Sequence, residues 1–504
     1  MGNLSALFLT LRLFQIIALA LCSSSAQHLV LNRRGSPASS NATSGLLSTT
    51  FGTNFDVNVT IGGETFPLLV DTGSSDTYVM KKGYRCFDKT NGTELPQSAC
   101  LYGSATYTPS ATYSQIPNEI FGVQYGAGIA SGVLAHEEVT LAGITVKNAT
   151  IAVANSSSPQ GDGVNSGILG LAYPALTSGH PANVTDNTTY FYNRLTYNPL
   201  LFVMHQQGLI EPYFSLALAR TPQNSTSGFG GYLSLGGLPP VPHSDAFTSV
   251  SVEIDNSVPI QVTSNERVRA YWTVTVSSIV YGPGNGTTSH SAPQPNNITT
   301  SSTLRNGTSF QAFIDSGNFF SYLPDTVVTS INSLFSPPAV FDATTGLWYV
   351  DCAATAPQLG LEIGNQTFFL DGRDLIYQTA QPSSGEAQCV SNLLSSDFSG
   401  GAYGEITLNI IGAAFLKNVL TVFDFGANEV RMAKLEGEVT ASEGQGQSGN
   451  GSSGRNGNVD GISGSGTDDG TASKSDAGPS AKTSISGSFF ALLTSIAGVG
   501  IWLF

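Results

Sequence analysis

The stretch Phe66-Pro67-Leu68-Leu69-Val70-Asp71-Thr72-Gly73-Ser74-Ser75 decides how we expect this 504-residue chain to fold. A weaker copy, Gln311-Ala312-Phe313-Ile314-Asp315-Ser316-Gly317, follows far downstream. Each copy is an apolar run that predicts a buried strand, and each delivers a carboxylate at a turn that contains glycine. A buried carboxylate costs several kcal/mol unless hydrogen bonds or a shared proton offset the cost. We therefore expect the two turns to face each other, so that Asp71 and Asp315 share one proton and activate a water molecule.

The composition predicts an all-β protein. Charged residues make up only 11% of the chain, whereas glycine (56 residues) and proline (24 residues) are frequent. Short runs rich in Val, Ile, Thr, Phe and Tyr are separated by Gly, Asn and Ser, which is typical of consecutive strands. The length leaves room for two or three domains or for one large unit with two lobes. The formal charge of -15 argues against nucleic acid as a partner.

The first 26 residues predict a secretory signal peptide. Arg12 precedes the apolar run Leu13–Leu21, and Ser24-Ser25-Ala26 fits the small-residue site of signal cleavage. A membrane anchor is the alternative, but the apolar run is short for a transmembrane span. Residues 27–50 predict a short polar N-terminal segment, in which Arg33-Arg34 is either a processing site or a solvated basic pair.

Glycosylation motifs and cysteines both favour export. Asn-x-Ser/Thr motifs recur after the signal, at Asn41, Asn58, Asn91, Asn148, Asn155, Asn183, Asn187, Asn224, Asn285, Asn297, Asn306, Asn365 and Asn450. Four cysteines remain in the exported chain, and they allow three disulfide pairings. The local pairing, Cys86 with Cys100 and Cys352 with Cys389, places one bridge in each half of the chain. No His or second Cys lies at ligand spacing from any of them, so we expect no metal site.

The repeated Asp turn divides the chain into two related lobes, 51–240 and 241–435. Each turn is followed later in its lobe by an apolar-apolar-Gly segment. These segments are Ile168-Leu169-Gly170 and Ile410-Ile411-Gly412. The repeat predicts that the two lobes have the same plan and that each contributes one Asp turn.

The C-terminal part of the chain predicts a linker and an anchor signal. Residues 436–488 consist mainly of Gly, Ser, Asp and Glu and cannot bury a core, so we expect disorder there. Residues 489–504 form an almost uninterrupted apolar tail. Small residues near Asp476-Ala477-Gly478, a polar spacer and this tail fit a glycolipid (GPI) anchor signal. A transmembrane helix is the alternative, but the tail is short and has no positive flank.

Together these motifs resemble the pepsin-like aspartic endopeptidases, and in particular the GPI-anchored cell-surface enzymes of fungi. The resemblance covers roughly residues 51–433, and its pieces occur in the family's order. They are Asp71-Thr72-Gly73-Ser74-Ser75, Tyr125-Gly126 at the tip of a predicted hairpin, Gly167-Ile168-Leu169-Gly170-Leu171, Asp315-Ser316-Gly317 and Ile411-Gly412. One Asp-Thr-Gly alone is weak, since Asp-Thr/Ser-Gly is ordinary turn chemistry. Two of them, each on an apolar strand, form a specific signature.

The resemblance implies an all-β, bilobal pepsin-like fold with the active-site cleft between the lobes. Asp71 and Asp315 are then the catalytic dyad at the floor of the cleft, and Thr72 and Ser316 form hydrogen bonds across the lobes beneath them. The hairpin tip Tyr125-Gly126 is the flap that closes over a bound peptide. The other residues of the turns that support the dyad are Gly73, Ser74, Gly317 and Asn318.

The implied function is that of a secreted aspartic endopeptidase, which hydrolyses peptide bonds of proteins or peptides at acidic pH without a metal or other cofactor. We expect a monomer that is held at the membrane or cell wall through its C-terminal glycolipid anchor. Two alternatives stay open. One is a catalytically silent pepsin-like protein that binds cell-wall or protein ligands. The other is a glycoside hydrolase, whose carboxylate pairs lie about 5–9.5 Å apart and need no matching Gly turns.

The chain departs from the family pattern at several positions. Asn318 stands where the second motif usually has Thr or Ser, so we expect an amide to replace the hydroxyl that orients the second Asp and to alter its tuning. Tyr78 stands in place of the usual Trp, which weakens the case for a hydrogen bond to Tyr125. Ser166 and Ala413 replace carboxylates that the family often has beside its two apolar-apolar-Gly segments.

Overall fold

The computed structural model describes residues 42–126, 128–184, 190, 194–222, 225–284, 304–380, 388–399 and 408–441, which belong to one compact unit. These residues form 28 β-strands and three short α-helices, so the predicted all-β class is confirmed. The helices are α1 (Leu200–Gln206), α2 (Asp325–Asn332) and α3 (Ala413–Leu416). The strands are β1 (Ala42–Thr49), β2 (Asn54–Ile61), β3 (Glu64–Asp71), β4 (Thr77–Phe87), β5 (Glu94–Leu95), β6 (Ser114–Gln124), β7 (Ile129–Leu141), β8 (Ile144–Ser157), β9 (Gly167–Gly170), β10 (Gly179–Pro181), β11 (Tyr213–Leu218), β12 (Gly228–Leu235), β13 (Thr248–Ser251), β14 (Thr273–Val276), β15 (Ser278–Gly282), β16 (Leu304–Asn306), β17 (Phe310–Ile314), β18 (Ser321–Leu323), β19 (Val340–Asp342), β20 (Leu347–Val350), β21 (Gln358–Ile363), β22 (Gln366–Leu370), β23 (Ile376–Ala380), β24 (Gln388–Ser391), β25 (Leu393–Ser395), β26 (Ile410–Ile411), β27 (Val419–Asp424) and β28 (Glu429–Lys434).

One sheet of 15 strands contains most of the first half of the chain. Its strand order is β10-β6-β7-β8-β4-β9-β3-β2-β1-β12-β11-β27-β28-β13, with β5 paired to β4 at the side. In β2, the apolar side chains of Phe55, Val57, Val59 and Ile61 occupy every second position and are buried. Successive side chains of a strand point to opposite faces, so this alternation places one face of β2 in the core.

The large sheet joins the two predicted lobes and does not end at residue 240. Strand β27 pairs with β11 from the first half of the chain, and β28 pairs with both β27 and β13. A boundary at residue 240 therefore separates strands that are hydrogen-bonded to each other. The sequence repeat located the two Asp turns, but it contains no information about which strands cross between the halves.

The first lobe begins before residue 51. Strand β1 lies between β12 and β2 and pairs with both of them. Leu46 and Leu47 interrupt an otherwise small and polar stretch, and of these two Leu46 is buried. Pairing on both edges supplies the hydrogen bonds that stabilise this strand, and such partners are not visible in the local sequence. Residues 42–49 of the predicted polar segment 27–50 therefore form a strand of the large sheet.

The second half of the chain also forms three smaller sheets. A five-stranded sheet has the order β14-β17-β26-β18-β25, and two four-stranded sheets have the orders β16-β15-β21-β22 and β19-β20-β24-β23. In the five-stranded sheet β17 pairs in parallel with β26, as β3 pairs in parallel with β9 in the first half. Each Asp strand therefore lies beside the apolar-apolar-Gly segment of its own half.

A buried aromatic cluster connects the two halves close to the first Asp turn. The ring of Trp272 packs edge-to-face against Phe214 and Phe423, with ring centroids 5.7 and 5.1 Å away. The indole N–H of Trp272 donates to the carbonyl oxygen of Leu171 at 3.0 Å. Because the backbone N–H of Leu171 donates to the carbonyl of Asp71 at 2.8 Å, the cluster fixes the strand that ends in this carboxylate.

The two disulfides are local. Cys86 is bonded to Cys100, and Cys352 is bonded to Cys389. Of the three pairings that the sequence leaves open, the structure therefore has the one with a bridge in each half. The first bridge closes a loop of 14 residues that begins at the end of β4, and the second closes one of 37 residues.

Candidate active site

Asp71 is the last residue of β3 and is paired in register with Gly170 of β9. Its carboxyl group is fully buried. The backbone N–H of Gly73 donates to Oδ1 of this carboxyl at 2.8 Å, and the hydroxyl of Ser74 donates to Oδ2. These donors provide the support that a carboxylate without solvent requires.

Asp315 follows β17 in the same way. Its backbone N–H donates to the carbonyl of Ile411 in β26 at 3.0 Å. The N–H of Gly317 donates to Oδ1 of the carboxyl at 2.9 Å, and this carboxyl is fully buried as well. Each half of the chain therefore places one Asp carboxyl group at the end of a strand. In both halves the backbone N–H of the Gly two residues after the Asp donates a hydrogen bond to that carboxyl group.

Thr72 and Ser316 connect the two turns reciprocally. The Ser316 N–H donates to Oγ1 of Thr72 at 2.9 Å, and the Thr72 N–H donates to Oγ of Ser316 at 3.1 Å. The Thr72 hydroxyl donates to the carbonyl of Ile314 at 2.8 Å, and the Ser316 hydroxyl donates to the carbonyl of Val70 at 2.7 Å. Four buried hydrogen bonds therefore hold the turns together across more than 240 residues of sequence.

The two carboxyl groups meet directly and form a hydrogen bond with each other. A Cβ atom on Gly73 would lie 2.6 Å from the carboxyl carbon of Asp315, so only glycine fits between them. Burial and then the negative charge of Asp71 raise the pKa of Asp315 well above its usual value. Burial also raises the pKa of Asp71, but the hydrogen bonds from Ser74, Gly73 and Asp315 act against it. Two carboxylates side by side cannot both ionise readily, so the pair shares one proton, and the stronger rise of the pKa at Asp315 favours that proton on Asp315.

The fourth residue is Ser74 in the first turn and Asn318 in the second. The prediction that the amide of Asn318 takes the place of a hydroxyl at the second Asp is corrected in part. The amide of Asn318 donates to the carbonyl of Phe320 at 2.8 Å, and its oxygen accepts from the Phe320 N–H at 3.3 Å. The side chain is therefore turned away from Asp315, and only the backbone N–H of Asn318 supports that carboxyl. Among the described residues, the Oδ2 atom of Asp315 is buried and accepts no hydrogen bond from an N–H or hydroxyl group. Asp71, in contrast, receives the hydroxyl of Ser74.

The predicted flap is the hairpin formed by β6 and β7. Tyr125 follows β6 directly and is buried, and its N–H donates to the carbonyl of Gly128 at 2.6 Å. Burial, followed by the charges of Asp76 and Asp71, raises the pKa of Tyr125 well above its usual value. The side chain of Tyr125 therefore lies close enough to the Asp71 turn to be affected by its charges. The carbonyl of Gly126 at the tip accepts a hydrogen bond of 2.8 Å from the ammonium of Lys89.

Tyr78 does not bind the flap tyrosine. Its hydroxyl is 3.3 Å from the hydroxyl of Tyr102, which in turn is 3.1 Å from the hydroxyl of Ser157. The Tyr125 hydroxyl is buried and has no hydrogen-bond partner within the described residues. The sequence weakened the case for a hydrogen bond between Tyr78 and Tyr125, and the described residues show none.

The sequence did not reveal the role of Asp76, which lies five residues after Asp71 and is fully buried. Its Oδ1 atom accepts hydrogen bonds from the Ser178 N–H at 2.8 Å and from the Tyr197 hydroxyl at 2.5 Å. Burial raises the pKa of Asp76, and these two hydrogen bonds act against burial. The partners are 102 and 121 residues away, so no short motif contains them.

A second pair of carboxyl groups, Asp56 and Asp162, was also missed. The Thr49 hydroxyl is 2.5 Å from Oδ2 of Asp162 and 3.4 Å from Oδ2 of Asp56. Oδ1 of Asp162 accepts the N–H groups of Val164 and Asn165 at 2.8 and 2.7 Å. Asp56 is buried, and burial together with the charge of Asp162 raises its pKa well above the usual value. The raised pKa of Asp56 favours its protonated form beside Asp162. No group of three or more His, Cys, Asp or Glu within the described ranges could hold a metal ion.

Two buried carboxyl groups that share a proton, on turns bonded reciprocally across an all-β chain, define the class of aspartic endopeptidases. The chain belongs to the eukaryotic aspartyl protease family, whose model matches residues 54–435.

Known proteins of this class are similar to the chain over most of its length. A probable aspartic-type endopeptidase from Aspergillus fumigatus is 36% identical over 389 residues, which cover 77% of this chain and 80% of that protein. Penicillopepsin-1 from Penicillium janthinellum is 26% identical over 369 residues, or 73% of this chain and 90% of its own. The crystal structure of an aspartic proteinase from Irpex lacteus superposes with a TM-score of 0.57 at 21% identity, covering 78% of this chain and 97% of that one. This likeness confirms the predicted bilobal pepsin-like fold.

Proposed function

We propose that Asp71 and Asp315 are the catalytic dyad of this aspartic endopeptidase and that the enzyme cleaves proteins or peptides at acidic pH. The observation that carries the proposal is the reciprocal bonding of Thr72 and Ser316, because it makes one site out of two distant turns. A dyad works only while it holds one proton, so activity should be lost when the pH rises far enough to remove it.

In the first step, ionised Asp71 accepts a proton from a water molecule bound between the carboxyl groups, and the water oxygen bonds to the scissile carbonyl carbon. Asp315 gives its proton to the carbonyl oxygen at the same time, so the intermediate is a neutral diol. In the second step the C–N bond breaks, and the leaving amine takes the proton from Asp71. A hydroxyl proton of the diol returns to Asp315 as the carboxyl product forms. The dyad ends in its starting state, and one water has been added across the peptide bond.

We further propose that the protein is exported and held at the cell surface by a glycolipid anchor. The two disulfides support an oxidising compartment. The motif residues Asn58, Asn148 and Asn155 have exposed side chains, as glycan attachment requires. The predicted signal peptide and apolar tail lie outside the described residues, and within the described part no helix is long and apolar enough to cross a membrane.

The anchor is tested by treating intact cells with a phospholipase specific for phosphatidylinositol. Release of the protease into the medium is expected, and a variant truncated before residue 489 should be released without treatment. Retention of the wild-type protein after complete lipase treatment, together with retention of the truncated variant, would contradict the anchor. It would leave the proposal for the dyad unaffected.

The dyad is tested with Asp71→Asn and Asp315→Asn, assayed on a peptide library between pH 3 and 6. Each substitution should lower kcat/KM by about a thousandfold or more, because the amide cannot exchange the proton that both steps use. Asp255→Asn is the matched control, since Asp255 is a buried carboxyl of the second half that hydrogen-bonds Ser257 outside the site. A statine-type mimic of the tetrahedral intermediate should inhibit the wild type.

Near-normal turnover by either folded dyad variant would refute the mechanism. A neutral pH optimum with sensitivity to chelators would indicate a metalloenzyme. A folded wild type that binds the inhibitor but cleaves no member of the library would favour the catalytically silent alternative.

A further inference from the structure

A segment between β9 and α1 lies along the flap hairpin. We call its described part, residues 176–184, Tyr190 and residues 194–197, the flap tether. Its strand β10 pairs antiparallel with β6, so that Gly179 faces Phe121 and His180 faces Ile120. The flap hairpin therefore has a third strand along one edge, and that edge is fixed by backbone hydrogen bonds.

The tether holds the flap at Gly122, three residues before Tyr125. The Gly122 N–H donates to the carbonyl of Ser178 at 3.1 Å, and the Gly122 carbonyl lies 2.9 Å from Nε2 of His180, which is placed to donate to it. The ring of Tyr190 fills the space beside Gly122, where a Cβ atom would lie 2.3 Å from the ring. The rings of His180 and Tyr190 stack with centroids 5.3 Å apart. A larger residue at position 122 would therefore have to displace the ring of Tyr190.

The other end of the tether is bonded to the catalytic turn. Oδ1 of Asp76 accepts the Ser178 N–H and the Tyr197 hydroxyl, at 2.8 and 2.5 Å. Buried Arg194 donates through Nη1 to the carbonyl of Leu176 at 2.7 Å and so holds the tether backbone in place. Asp76 is itself fixed to β9, because its carbonyl accepts the N–H of Gly170 at 3.0 Å.

Ser178 is the residue that joins the two ends. Its N–H group donates to Asp76, and its carbonyl accepts from Gly122. One peptide segment therefore connects the turn that follows Asp71 to the strand that leads into Tyr125. A displacement of Ser178 would move Gly122 with it, since the backbone of β6 is paired on both edges.

We propose that the flap tether positions the flap over the dyad and that Tyr197 and His180 are positioning residues for proteolysis. This inference rests on the proposed function, because it assigns the hairpin at Tyr125 to substrate binding. The bond from Tyr197 to Asp76 sets the position of Ser178, and the bond between His180 and Gly122 transmits that position to the flap.

The main test is Tyr197→Phe, which removes one hydroxyl and keeps the ring. Hydrogen exchange of the amides of residues 120–125, measured without substrate, should become about tenfold faster, since a buried hydrogen bond to a carboxyl group is lost. KM for a peptide substrate should rise several-fold while kcat changes less than twofold. His180→Gln, which keeps an N–H near the position of Nε2, should stay close to wild type, whereas His180→Leu should behave like Tyr197→Phe.

Tyr107→Phe is the matched control. The Tyr107 hydroxyl also donates to a carboxylate, that of Glu137 in strand β7, at 2.6 Å, and none of its hydrogen bonds within the described residues involves the tether. This control should leave both KM and the exchange of residues 120–125 unchanged. A second pair of variants tests the contact at Gly122. Gly122→Ala should raise KM, and the double variant Gly122→Ala/Tyr190→Ala should have a KM no higher than Tyr190→Ala alone, because the clash is absent without the ring.

The tether is refuted if Tyr197→Phe leaves the exchange of residues 120–125 unchanged, or if exchange accelerates equally throughout the first half of the chain. The exchange measurement requires no catalysis. Failure of the proposed dyad would therefore appear as activity in Asp71→Asn, whereas failure of the tether would appear in the exchange data.

Discussion

The Asp56–Asp162 pair predicts a stability that decreases as the pH rises. The pKa of Asp56 is raised well above its ordinary value of 3.8, so the folded protein binds more protons than the unfolded chain above that pH. Protonated Asp56 makes its full contribution to the stability of the folded protein below pH 3.8. This contribution is lost as the pH rises through the pKa that Asp56 has in the folded state. One such proton changes the free energy of unfolding by about 1.4 kcal/mol per pH unit.

Asp56→Asn should remove this dependence, because the amide keeps an N–H donor for Asp162 and cannot ionise. We expect the variant to gain stability relative to wild type as the pH rises from 4 to 6, by at most about 1.4 kcal/mol for each pH unit. The measurement is urea unfolding followed by tryptophan fluorescence from pH 3.5 to 6.5. Both proteins should carry Asp71→Asn, which prevents self-digestion during the titration.

Two controls separate the pair from general effects of charge. Asp162→Asn should also reduce the pH dependence, since it removes the charge that raises the pKa of Asp56. Asp342→Asn should not reduce it, because hydrogen bonds from Thr344 lower the pKa of Asp342, and a lowered pKa makes stability change with pH in the opposite direction. A difference between wild type and Asp56→Asn that is constant with pH, or that falls as the pH rises, would refute the reasoning.

Three further outcomes concern the dyad and the disulfides. Asn318→Ser should supply a hydroxyl to Asp315 and lower its pKa, so the alkaline limb of kcat/KM against pH should move down by about one unit; an unchanged limb would contradict this. Gly73→Ala should reduce kcat about a hundredfold while preserving the fold seen by circular dichroism, because its Cβ displaces the carboxyl of Asp315. Replacing Cys352 and Cys389 by Ser should cost about 4 kcal/mol in chemical unfolding, and equal stability with and without this 37-residue loop closure would disprove the estimate.

The sequence predicted the parts of the site that lie within one strand and its turn. The apolar runs before Asp71 and Asp315 and the Gly two residues after each were sufficient, because strand, turn and carboxyl support all lie within about ten residues. The role of Asn318 was predicted less well. Its amide could donate either to the carboxyl of Asp315 or to the nearby backbone, and in the structure it donates to the carbonyl of Phe320.

Features that depend on distant partners were not predictable in this way. Nothing in the local sequence distinguishes Asp76 from other polar residues, because its partners Ser178 and Tyr197 lie more than 100 positions away. The carboxyl groups of Asp56 and Asp162 are also more than 100 positions apart in sequence. Strand β1 was missed for the same reason, because its neighbours β2 and β12 come from different parts of the first half.

The shared sheet has a consequence for biosynthesis. A ribosome makes β27 and β28 after the other described strands, so β11 keeps an unpaired edge until nearly the whole protease domain has emerged. The second Asp turn is also translated late, beyond residue 310. Under the proposed mechanism a nascent chain therefore lacks a complete dyad until residue 315 has been made, and premature termination leaves the edge of β11 open for pairing with another chain.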